Sequence, residues 1–437
     1  MGESRKSFIK KSAFGMAGLT IGGMGMSSAS YANIMGSNER LNLAVVGLGR
    51  RAHAWPEAIA LEESNARLLY LCDVMKSRRE SAAENYSEVL GYTPELENDV
   101  RKILEDNEVD AIINATPDHW HAPGTCYASE AGKHVYVEKP CSHNPREGEL
   151  LVECQKKYGN VIQMGNQRRA SAITQELISE IHNGLIGEPY KAVASYYNDR
   201  GEVPVATPAP VPEGLNWELF QGPAPRQEYV HNAWDYNWHW YGWKWGTAEA
   251  GNNAIHAVDI ARWALQVEQP KRVVTNAHKQ HFPDDGWTMY DTMDATLTFP
   301  GDKVIRWDGK SRNGYDTYGG QGPVVYGTEG VIKFLSSGYE LYDREGDLIR
   351  SDSDEEDTGR SKINRHVLNF LNAIRGKAEL NSPIDEGATS TLLCHLMNIS
   401  ARTGKALDVN AENGRIQDEG AMQLWDREYE PGWEPKI

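Results

Sequence analysis

The chain has 437 residues, which is enough for two domains of ordinary size, each with its own core. Its formal net charge is −17, with 62 acidic residues against 45 basic ones. A surface this acidic repels phosphate backbones, which argues against a nucleic-acid partner and favours solubility over membrane binding. We expect the partner to be small and neutral.

The aromatic composition favours a protein that handles sugar rings. There are 13 tryptophans and 20 tyrosines but only 7 phenylalanines, and Trp and Tyr combine an apolar face with a hydrogen-bonding edge. The alternative is that many of them are ordinary half-buried core residues. The five cysteines are scattered and form no Cys-x-x-Cys pair, so we interpret them as reduced core residues and expect no thiolate zinc site.

Residues 1–32 have the pattern of an export signal. Arg5 and Lys6 precede a weakly apolar, glycine-rich stretch that ends in a small-x-small pattern at Ala32. The segment resembles the twin-arginine type, with Lys6 where the second arginine normally lies, so the ordinary secretory route stays open. Its apolar run is shorter than the roughly 20 residues that a membrane span needs. We predict a periplasmic protein with no stable membrane span after processing.

Residues 38–165 predict a Rossmann domain that binds NAD(P). The apolar strand Leu41–Val46 leads into the turn Gly47-x-Gly49-x-x-Ala52 and a helix, and a second strand ends at Asp73. Gly47 and Gly49 bring backbone N–H groups against a pyrophosphate, and Asp73 would accept hydrogen bonds from the adenosine ribose. This order of elements predicts a dinucleotide site.

The charges around this site favour NAD without excluding NADP. A carboxylate at Asp73 repels a 2′-phosphate. Against it stand four cations that can lie against adenine, contact a phosphate or face solvent, namely Arg50, Arg51, Arg78 and Arg79. We therefore expect NAD as the cofactor and keep NADP as the alternative.

Two later strands, Ala111–Asn114 and His134–Val137, bring further residues to the same edge of the sheet. Thr116 and Pro117 are expected to shape the turn under the cofactor, with His121 lining it. A metal is the alternative for His119 and His121, but no third ligand lies nearby in the sequence, and we predict no metal site.

Residues 166–437 predict an α+β substrate domain with a mainly antiparallel, open-faced sheet. Its alternating runs include Tyr190–Tyr197, Asp291–Phe299, Lys303–Trp307, Val324–Tyr326, Val331–Phe334 and Tyr339–Tyr342. Two helices, Arg365–Arg375 and Thr389–Arg402, are expected to close the fold. The predicted class is thus α/β, with a Rossmann domain followed by this second domain.

A run of twelve residues, Trp234–Trp245, contains five tryptophans with polar residues between them and follows neither a helical nor a strand period. We interpret it as a loop that forms a carbohydrate-binding wall, with Trp240 and Trp243 as substrate contacts. A contact between subunits is the alternative, because aromatic residues also dominate interface hot spots. We expect a homo-oligomer.

Together these motifs resemble the glucose-fructose oxidoreductase/inositol dehydrogenase/MocA superfamily. They are Gly47-x-Gly49-x-x-Ala52, Cys72-Asp73, Ala115-Thr116-Pro117-x-x-x-His121, Glu138-Lys139-Pro140 and Ile255-His256-Ala257-Val258-Asp259. The resemblance implies that Glu138 holds the nicotinamide ribose. It also implies that Lys139 lies between nicotinamide C4 and the substrate hydroxyl.

Alcohol oxidation needs a base for the O–H proton and a cation near the developing alkoxide. Lys139 can supply the cation, and His256 is the best candidate for the base. Asn252 lies one helical turn before His256 and can orient its imidazole, although relatives often carry aspartate there. Asp259 either faces substrate or packs the helix, and Arg169 is a further substrate candidate. Gln167, after the last Rossmann strand, is assigned to the cofactor.

These residues predict an NAD-dependent oxidoreductase acting on a secondary hydroxyl of a sugar, glycoside or cyclitol. Because the periplasm has no free NAD pool, we expect a tightly held cofactor that works in a closed cycle. A second hypothesis is an NAD-dependent glycosidase or lyase using transient oxidation, elimination and re-reduction. The third is a sugar-binding protein without catalysis.

Overall fold

The structure, a computed structural model, describes residues 39–319 and 322–437. The predicted export signal, residues 1–32, lies outside the described residues. Residues Leu41–Ile437 form one unit, which is built on two β-sheets. The domain boundary predicted at 165/166 stays a prediction.

The first sheet is the predicted Rossmann sheet. Its six parallel strands lie in the order β3-β2-β1-β4-β5-β6. The strands are β1 Leu41–Val46, β2 Ala66–Cys72, β3 Glu95–Glu97, β4 Ala111–Asn114, β5 His134–Val137 and β6 Ile162–Met164. The chain order reverses between β1 and β4, and ligands of such sheets bind at the carboxyl ends of the strands at this point.

Five helices belong to the same stretch of chain. They are α1 Pro56–Ala60, α2 Lys76–Leu90, α3 Val100–Glu105, α4 Asp118–Glu130 and α5 Pro145–Tyr158. α5 shows why they begin where they do: Asn144 accepts a hydrogen bond from the N–H of Glu147, and Pro145 occupies the first turn, where no N–H is needed. Gly159 then ends the helix in a left-handed conformation.

The second sheet has nine strands in the order β14-β13-β12-β11-β7-β10-β9-β8-β15. All its pairs between these strands are antiparallel except β7 with β10, which confirms the mainly antiparallel prediction. The strands are β7 Pro189–Tyr197, β8 Arg272–His278, β9 Thr292–Thr298, β10 Val304–Lys310, β11 Val324–Gly327, β12 Val331–Phe334, β13 Gly338–Tyr342, β14 Leu348–Ser353 and β15 Leu407–Asp408.

Helices cover one face of this second sheet. In β9 every second side chain is buried, as expected for a sheet with one covered face. Met293 and Leu297 of β9 share a core with Ile255 and Leu393. The α-helices that follow β6, not all of which cover this sheet, are α6 Ala172–His182, α7 Trp217–Gln221, α8 Ile255–Leu265, α9 Gly359–Ile374, α10 Ile384–Thr403 and α11 Glu419–Met422, with a π-helical turn at Ala250–Ala254 before α8.

Helix α9 comes from the carboxy-terminal half of the chain but packs against the first sheet. Its Val367 and Phe370 share a core with Leu43 and Leu68 of β1 and β2. The ring of Phe370 lies 5.9 Å from that of Tyr136 in β5, edge to face. The cofactor sheet is therefore completed by a helix about 200 residues further along the chain.

Two further expectations concern the whole chain. All five cysteines are buried and free, which confirms the interpretation of reduced core residues. None of the helices in residues 39–319 and 322–437 combines the length and apolar character that crossing a membrane requires.

Candidate active site

A groove of about 1010 Å³ lies at the carboxyl ends of the first sheet, where the strand order reverses. The structure brings together in it eleven of the twelve residues predicted to bind cofactor: Gly47, Gly49, Arg50, Arg51, Asp73, Arg78, Thr116, Pro117, His121, Glu138 and Lys139. Asn252 lines the same groove. An apolar cavity continues from it beside Asp73 and Trp120.

The backbone geometry of the turn requires glycine at its first glycine position, and the second lies against a flexible side chain. Gly47 has φ +92°, and a Cβ atom there would lie 2.4 Å from the carbonyl oxygen of Ala115, so no other residue fits. Gly49 has ordinary φ, but a Cβ would come within 3.3 Å of the Arg78 guanidinium. The turn thus brings its backbone and cationic side chains close to one space, as a pyrophosphate site requires.

Asp73 at the end of β2 also shapes the glycine turn. Its Oδ2 accepts a hydrogen bond from the N–H of Leu48 at 2.7 Å, and its Oδ1 accepts one from Met75 at 2.8 Å. Burial raises the pKa of its carboxyl, although Arg78 opposes the shift. Each oxygen of a carboxylate has a second acceptor site, so the predicted contact with a ribose is compatible with these bonds.

Two buried polar atoms after β6 support a polar ligand in this region. Asn166 Nδ2 and Gln167 Oε1 have no hydrogen-bond partner in the part of the chain that the structure describes. Buried polar groups are rarely left unpaired in folded proteins. With the glycine cradle and the acid at 73, the residues of the groove fit a dinucleotide, whereas Gln167 is the one predicted cofactor residue that is not part of the groove lining.

Lys139 follows β5 and points toward the π-helical turn. Its Nζ donates to the carbonyl oxygen of Asn252 at 2.6 Å and approaches Asn252 Oδ1 at 3.3 Å. Burial lowers the pKa of Lys139, and the charges of Glu138 and Asp118 oppose this only in part. A lysine whose ammonium is weakened in this way can exchange a proton with a bound hydroxyl.

His256, in the first turn of α8, lies on the same side of the molecule as Lys139. Its Nδ1 lies 3.2 Å from Asn166 Oδ1, which places the proton on Nδ1 and leaves Nε2 as the acceptor. Burial, followed by the charges of Lys139 and Arg168, lowers the pKa of His256 well below 6.5. The imidazole is therefore neutral at neutral pH and able to take a proton.

The expectation that Asn252 orients His256 is wrong, because Asn166 does so. Asn252 lies in the π-helical turn Ala250–Ala254, which changes the side-chain spacing from that of an α-helix. Its amide donates to Glu249 Oε1 at 3.2 Å, and its oxygens face Lys139. Asn252 connects the lysine to the helix that carries the histidine.

Glu138 and His121 hold the two loops on either side of Lys139. Glu138 accepts a hydrogen bond from Arg51 Nε at 2.9 Å. Burial alone would raise the pKa of Glu138, but the charges of Arg51 and Lys139 outweigh it and the net shift is downward. The ring of His121 lies between two backbone carbonyl groups. Its Nδ1 is 2.6 Å from the carbonyl oxygen of Pro140, and its Nε2 is 2.7 Å from that of Thr116.

Two of the residues predicted to bind substrate form a buried ion pair with each other instead. Arg169 Nε and Nη2 donate to Asp259 Oδ2 and Oδ1 at 2.8 and 2.9 Å, and Ser390 donates to the same carboxylate. Asp259 has no exposed surface, and Arg169 is 4% exposed. Of the two roles considered for Asp259, helix packing is the one that this geometry supports.

The aromatic segment is only partly the wall that its composition suggested. Trp240 is buried with its ring stacked on Trp287 at 3.8 Å, so this face is not available to a sugar. Trp243 lines a different cavity. The residues that do reach the groove are Asp235, Tyr236, Trp238 and His239.

Arginines from the glycine turn and α2 hold this segment over the groove. Arg78 donates to the carbonyl and carboxylate of Asp235 at 2.9 and 2.7 Å. The Arg50 guanidinium lies 4.0 Å above the ring of Tyr236. The sequence analysis missed Asp235, although the four nearby arginines were a signal that an acid would approach them.

The sequence analysis also missed Asp118 and Asn166. Asp118 lines the groove and accepts hydrogen bonds from the backbone and hydroxyl of Thr247, just before the π-helical turn.

Among residues 39–319 and 322–437, no three His, Cys, Asp or Glu side chains lie close enough to hold a metal ion.

Family models match both halves of the chain. The model described as "Oxidoreductase family, NAD-binding Rossmann fold" matches residues 41–166. The one described as "Oxidoreductase family, C-terminal alpha/beta domain" matches residues 219–409. These ranges contain the first sheet and most of the second.

Curated relatives resemble a shorter segment. Inositol 2-dehydrogenase of Salmonella typhimurium is 26% identical over 181 residues, which are 41% of this chain and 52% of that protein. The scyllo-inositol 2-dehydrogenase (NAD(+)) of Bacillus subtilis is 31% identical over 167 residues, which are 38% of this chain and 46% of that protein. The chain thus matches about half the length of these relatives.

One solved structure shows the likeness in fold. The aldose-aldose oxidoreductase of Caulobacter crescentus, complexed with glycerol, superposes with a TM-score of 0.64 at 18% identity. The superposition covers 85% of this chain and 100% of that one. It supports the architecture of both sheets.

Proposed function

Since this chain belongs to the Gfo/Idh/MocA oxidoreductase family, we propose that it oxidises a secondary hydroxyl of a sugar, glycoside or cyclitol with NAD. The observation that carries the proposal is the hydrogen bond from Lys139 Nζ to the carbonyl oxygen of Asn252, at 2.6 Å. Asn252 lies in the π-helical turn that leads into α8, the helix that contains His256. Lys139 and Asn252 line the groove into which the glycine turn opens, and the charge of Lys139 reaches His256. The inositol dehydrogenases among the relatives support the substrate class.

Each residue has a distinct part in this reaction. NAD, when bound, accepts a hydride. His256 takes the hydroxyl proton at Nε2, and Asn166 keeps the ring in the tautomer that allows it. Lys139 stabilises the oxygen as its negative charge grows, and its lowered pKa lets it share the proton. Glu138, whose carboxylate is held by Arg51, would bind the nicotinamide ribose, as the family resemblance implies.

We further propose that the cofactor stays bound and is regenerated within the site. The residues over the groove support retention, because Arg78 and Arg50 hold Asp235 and Tyr236 across it. An aldose-aldose oxidoreductase among the structures of similar fold is named for two sugar half-reactions. Export after folding, through a twin-arginine-like signal at residues 1–32, would carry the cofactor out with the protein.

A second candidate function is redox-neutral cleavage of a glycoside. Oxidation needs one proton acceptor, whereas elimination of a leaving group also needs a base for the acidified C–H. Two titratable side chains are linked through Asn252 and the helix that follows it: Lys139 donates to the Asn252 carbonyl, and His256 lies in the first turn of α8. They are the two groups that could act as bases in such a cycle. The third possibility, sugar binding without catalysis, would leave both groups without a chemical role.

The decisive experiment has two steps. The purified protein is first denatured and the released nucleotide identified, and we expect about one equivalent of NAD(H) per chain. The native protein is then incubated with a panel of glycosides and cyclitols. A keto-sugar or net NADH supports the oxidoreductase, and released aglycone without net NADH supports cleavage. Saturable sugar binding with neither product would contradict both.

A further inference from the structure

A second polar cavity, of about 620 Å³, lies where the amino end of α5 meets α10 and residues 424–427. None of its lining residues belongs to the cofactor groove. The lining includes His143, Asn144, Trp243, Asn398, Arg402 and Arg427. Trp243 was predicted to contact a sugar, and this is where the fold places it.

The interior of this cavity contains hydrogen-bond donors that protein atoms do not satisfy. Asn144 is 5% exposed, and its Oδ1 caps α5 through the N–H of Glu147. Its Nδ2 has no hydrogen-bond partner within the described residues. The Arg427 side chain is 10% exposed, and its Nε and Nη1 also lack partners there. Leaving a buried donor unsatisfied is unfavourable, so these atoms favour an acceptor in the cavity.

The cavity suits an oxyanion through its guanidinium donors rather than through net charge, because Arg402 and Arg427 are matched in number by the carboxylates of Glu147 and Asp426. Arg427 is neutralised by Glu147, whose carboxylate also accepts hydrogen bonds from the N–H of His143 and from Tyr429. The Arg402 guanidinium lies 4.5 Å over the ring of Trp243. The one acidic side chain among the lining residues that the structure describes is Asp426. It is exposed and accepts from the N–H of Arg427.

The dipole of helix α5 also favours an anion in the cavity. It spans 14 residues and begins at Pro145, directly beside Asn144, so its positive end is directed at the cavity. The two unsatisfied side chains are an independent observation that points to the same kind of ligand. A water molecule would satisfy one donor, but the space extends past Asn398 to the exposed guanidinium of Arg402.

We propose that this cavity is a second binding site, separate from the cofactor groove, for a small ligand that carries a carboxylate or phosphate group. Asn144 and Arg427 donate to the oxyanion inside. Arg402 attracts the negative charge of the ligand at the mouth of the cavity, and Trp243 provides an apolar wall for the rest of the ligand. Carboxylate and phosphate share this chemistry, and the probes below separate them.

The test is isothermal titration of the full chain with two probes, sodium gluconate and inorganic phosphate, at constant ionic strength. We expect saturable binding of at least one probe with Kd below about 10 mM. Arg402→Gln should weaken it about tenfold, which is 1.4 kcal/mol. Binding of gluconate alone identifies a sugar acid or a similar carboxylate as the ligand, and binding of phosphate alone identifies a phosphate.

Two matched variants make the result specific. Arg415→Gln removes another exposed arginine stacked on a tryptophan, Trp425, 4.9 Å away, and should leave binding unchanged. Arg51→Gln tests whether phosphate binds in the cofactor groove instead. The proposal is overturned if neither probe saturates, if Arg415→Gln weakens binding as much as Arg402→Gln, or if only Arg51→Gln affects it. Thermal unfolding of each variant confirms that it is folded.

Discussion

The pKa of His256 depends on the charge of Lys139 in the groove. The charge of Lys139 contributes to lowering the pKa of His256, after burial itself. A group that takes a proton is active when neutral, so activity should rise with pH across the lowered pKa and reach its plateau before neutrality. We expect the acidic limb of kcat/KM against pH to lie below 6.5.

Lys139→Met tests this coupling. Loss of the ammonium should lower kcat by about 10²–10³-fold, as for a lost electrostatic stabiliser. It also removes a positive charge that disfavours imidazolium, so the pKa of His256 rises and the acidic limb moves to higher pH. The pH profile of the variant is the measurement, and Lys102→Met, an exposed lysine away from the groove, is the control. A limb that stays in place would show that the two groups do not interact.

Asp73 combines a structural role with cofactor choice. Asp73→Asn keeps an oxygen for Leu48 or Met75 but removes the negative charge that opposes a 2′-phosphate. We expect the ratio of the NADP and NAD dissociation constants to fall about tenfold, or 1.4 kcal/mol. Titration of both nucleotides measures it. An unchanged ratio in a variant that unfolds at the normal temperature would count against the assignment.

Individual residues were predictable where the local sequence determines their position. Gly47, Gly49 and Asp73 flank short strands, so their place at the groove followed from the order of elements. Arg169 was misassigned, and the role of Asp259 stayed open, because the two residues that pair are 90 positions apart and no local pattern reports such a pairing. Trp240 was misassigned because a tryptophan that stacks on a sugar and one that stacks on Trp287 have the same sequence context.

At the scale of elements, the segment Trp234–Trp245 lines the groove and is tied to it through Asp235. Asp235→Ala removes the carboxylate that accepts a hydrogen bond from Arg78. It also removes the ion pair with Arg50, whose Nη2 lies 3.8 Å from Asp235 Oδ2. The segment should then open more often, and we expect NAD to dissociate about tenfold faster. Stopped-flow displacement of bound nucleotide measures the rate. Asp284→Ala, at an exposed acid outside the groove lining, should leave it unchanged.

Strands with a buried face were predictable, and edge strands were not. β9 and β10 alternate between buried and half-exposed residues, so their pattern was visible. β14 lies at one edge of the second sheet with almost all of its residues exposed, and β8 has Val273 as its one fully buried residue. The π-helical turn before α8 was missed because its residues fit an α-helix equally well, and only the backbone hydrogen bonding of the folded chain distinguishes the two.

At the scale of the whole molecule, α9 makes the cofactor sheet depend on the end of the chain. Phe370 is 1% exposed in the core below β1 and β2. Phe370→Ala should lower the free energy of unfolding by about 3–5 kcal/mol. It should also weaken nucleotide binding, because the sheet that carries the glycine turn loses packing.

Chemical denaturation with and without NAD measures both effects. Phe282→Ala is a suitable control, since Phe282 is 38% exposed, and it should cost less than about 1 kcal/mol. If Phe370→Ala lowered stability while nucleotide affinity stayed at the level of the parent protein, the sheet would not depend on α9 for binding. The role of α9 was not visible in the sequence, because an amphipathic helix does not reveal which sheet it covers.

The distant origin of α9 also limits how this protein can be recombined. A graft that transferred only the first 165 residues to a foreign catalytic half would leave the apolar side of β1 and β2 bare, with Leu43 and Leu68 in contact with water. Such a chimera would aggregate unless the donor's own α9 were transplanted as well. Exchange of coenzyme halves between relatives therefore requires two crossovers, one on each side of this helix, in addition to the one that follows β6.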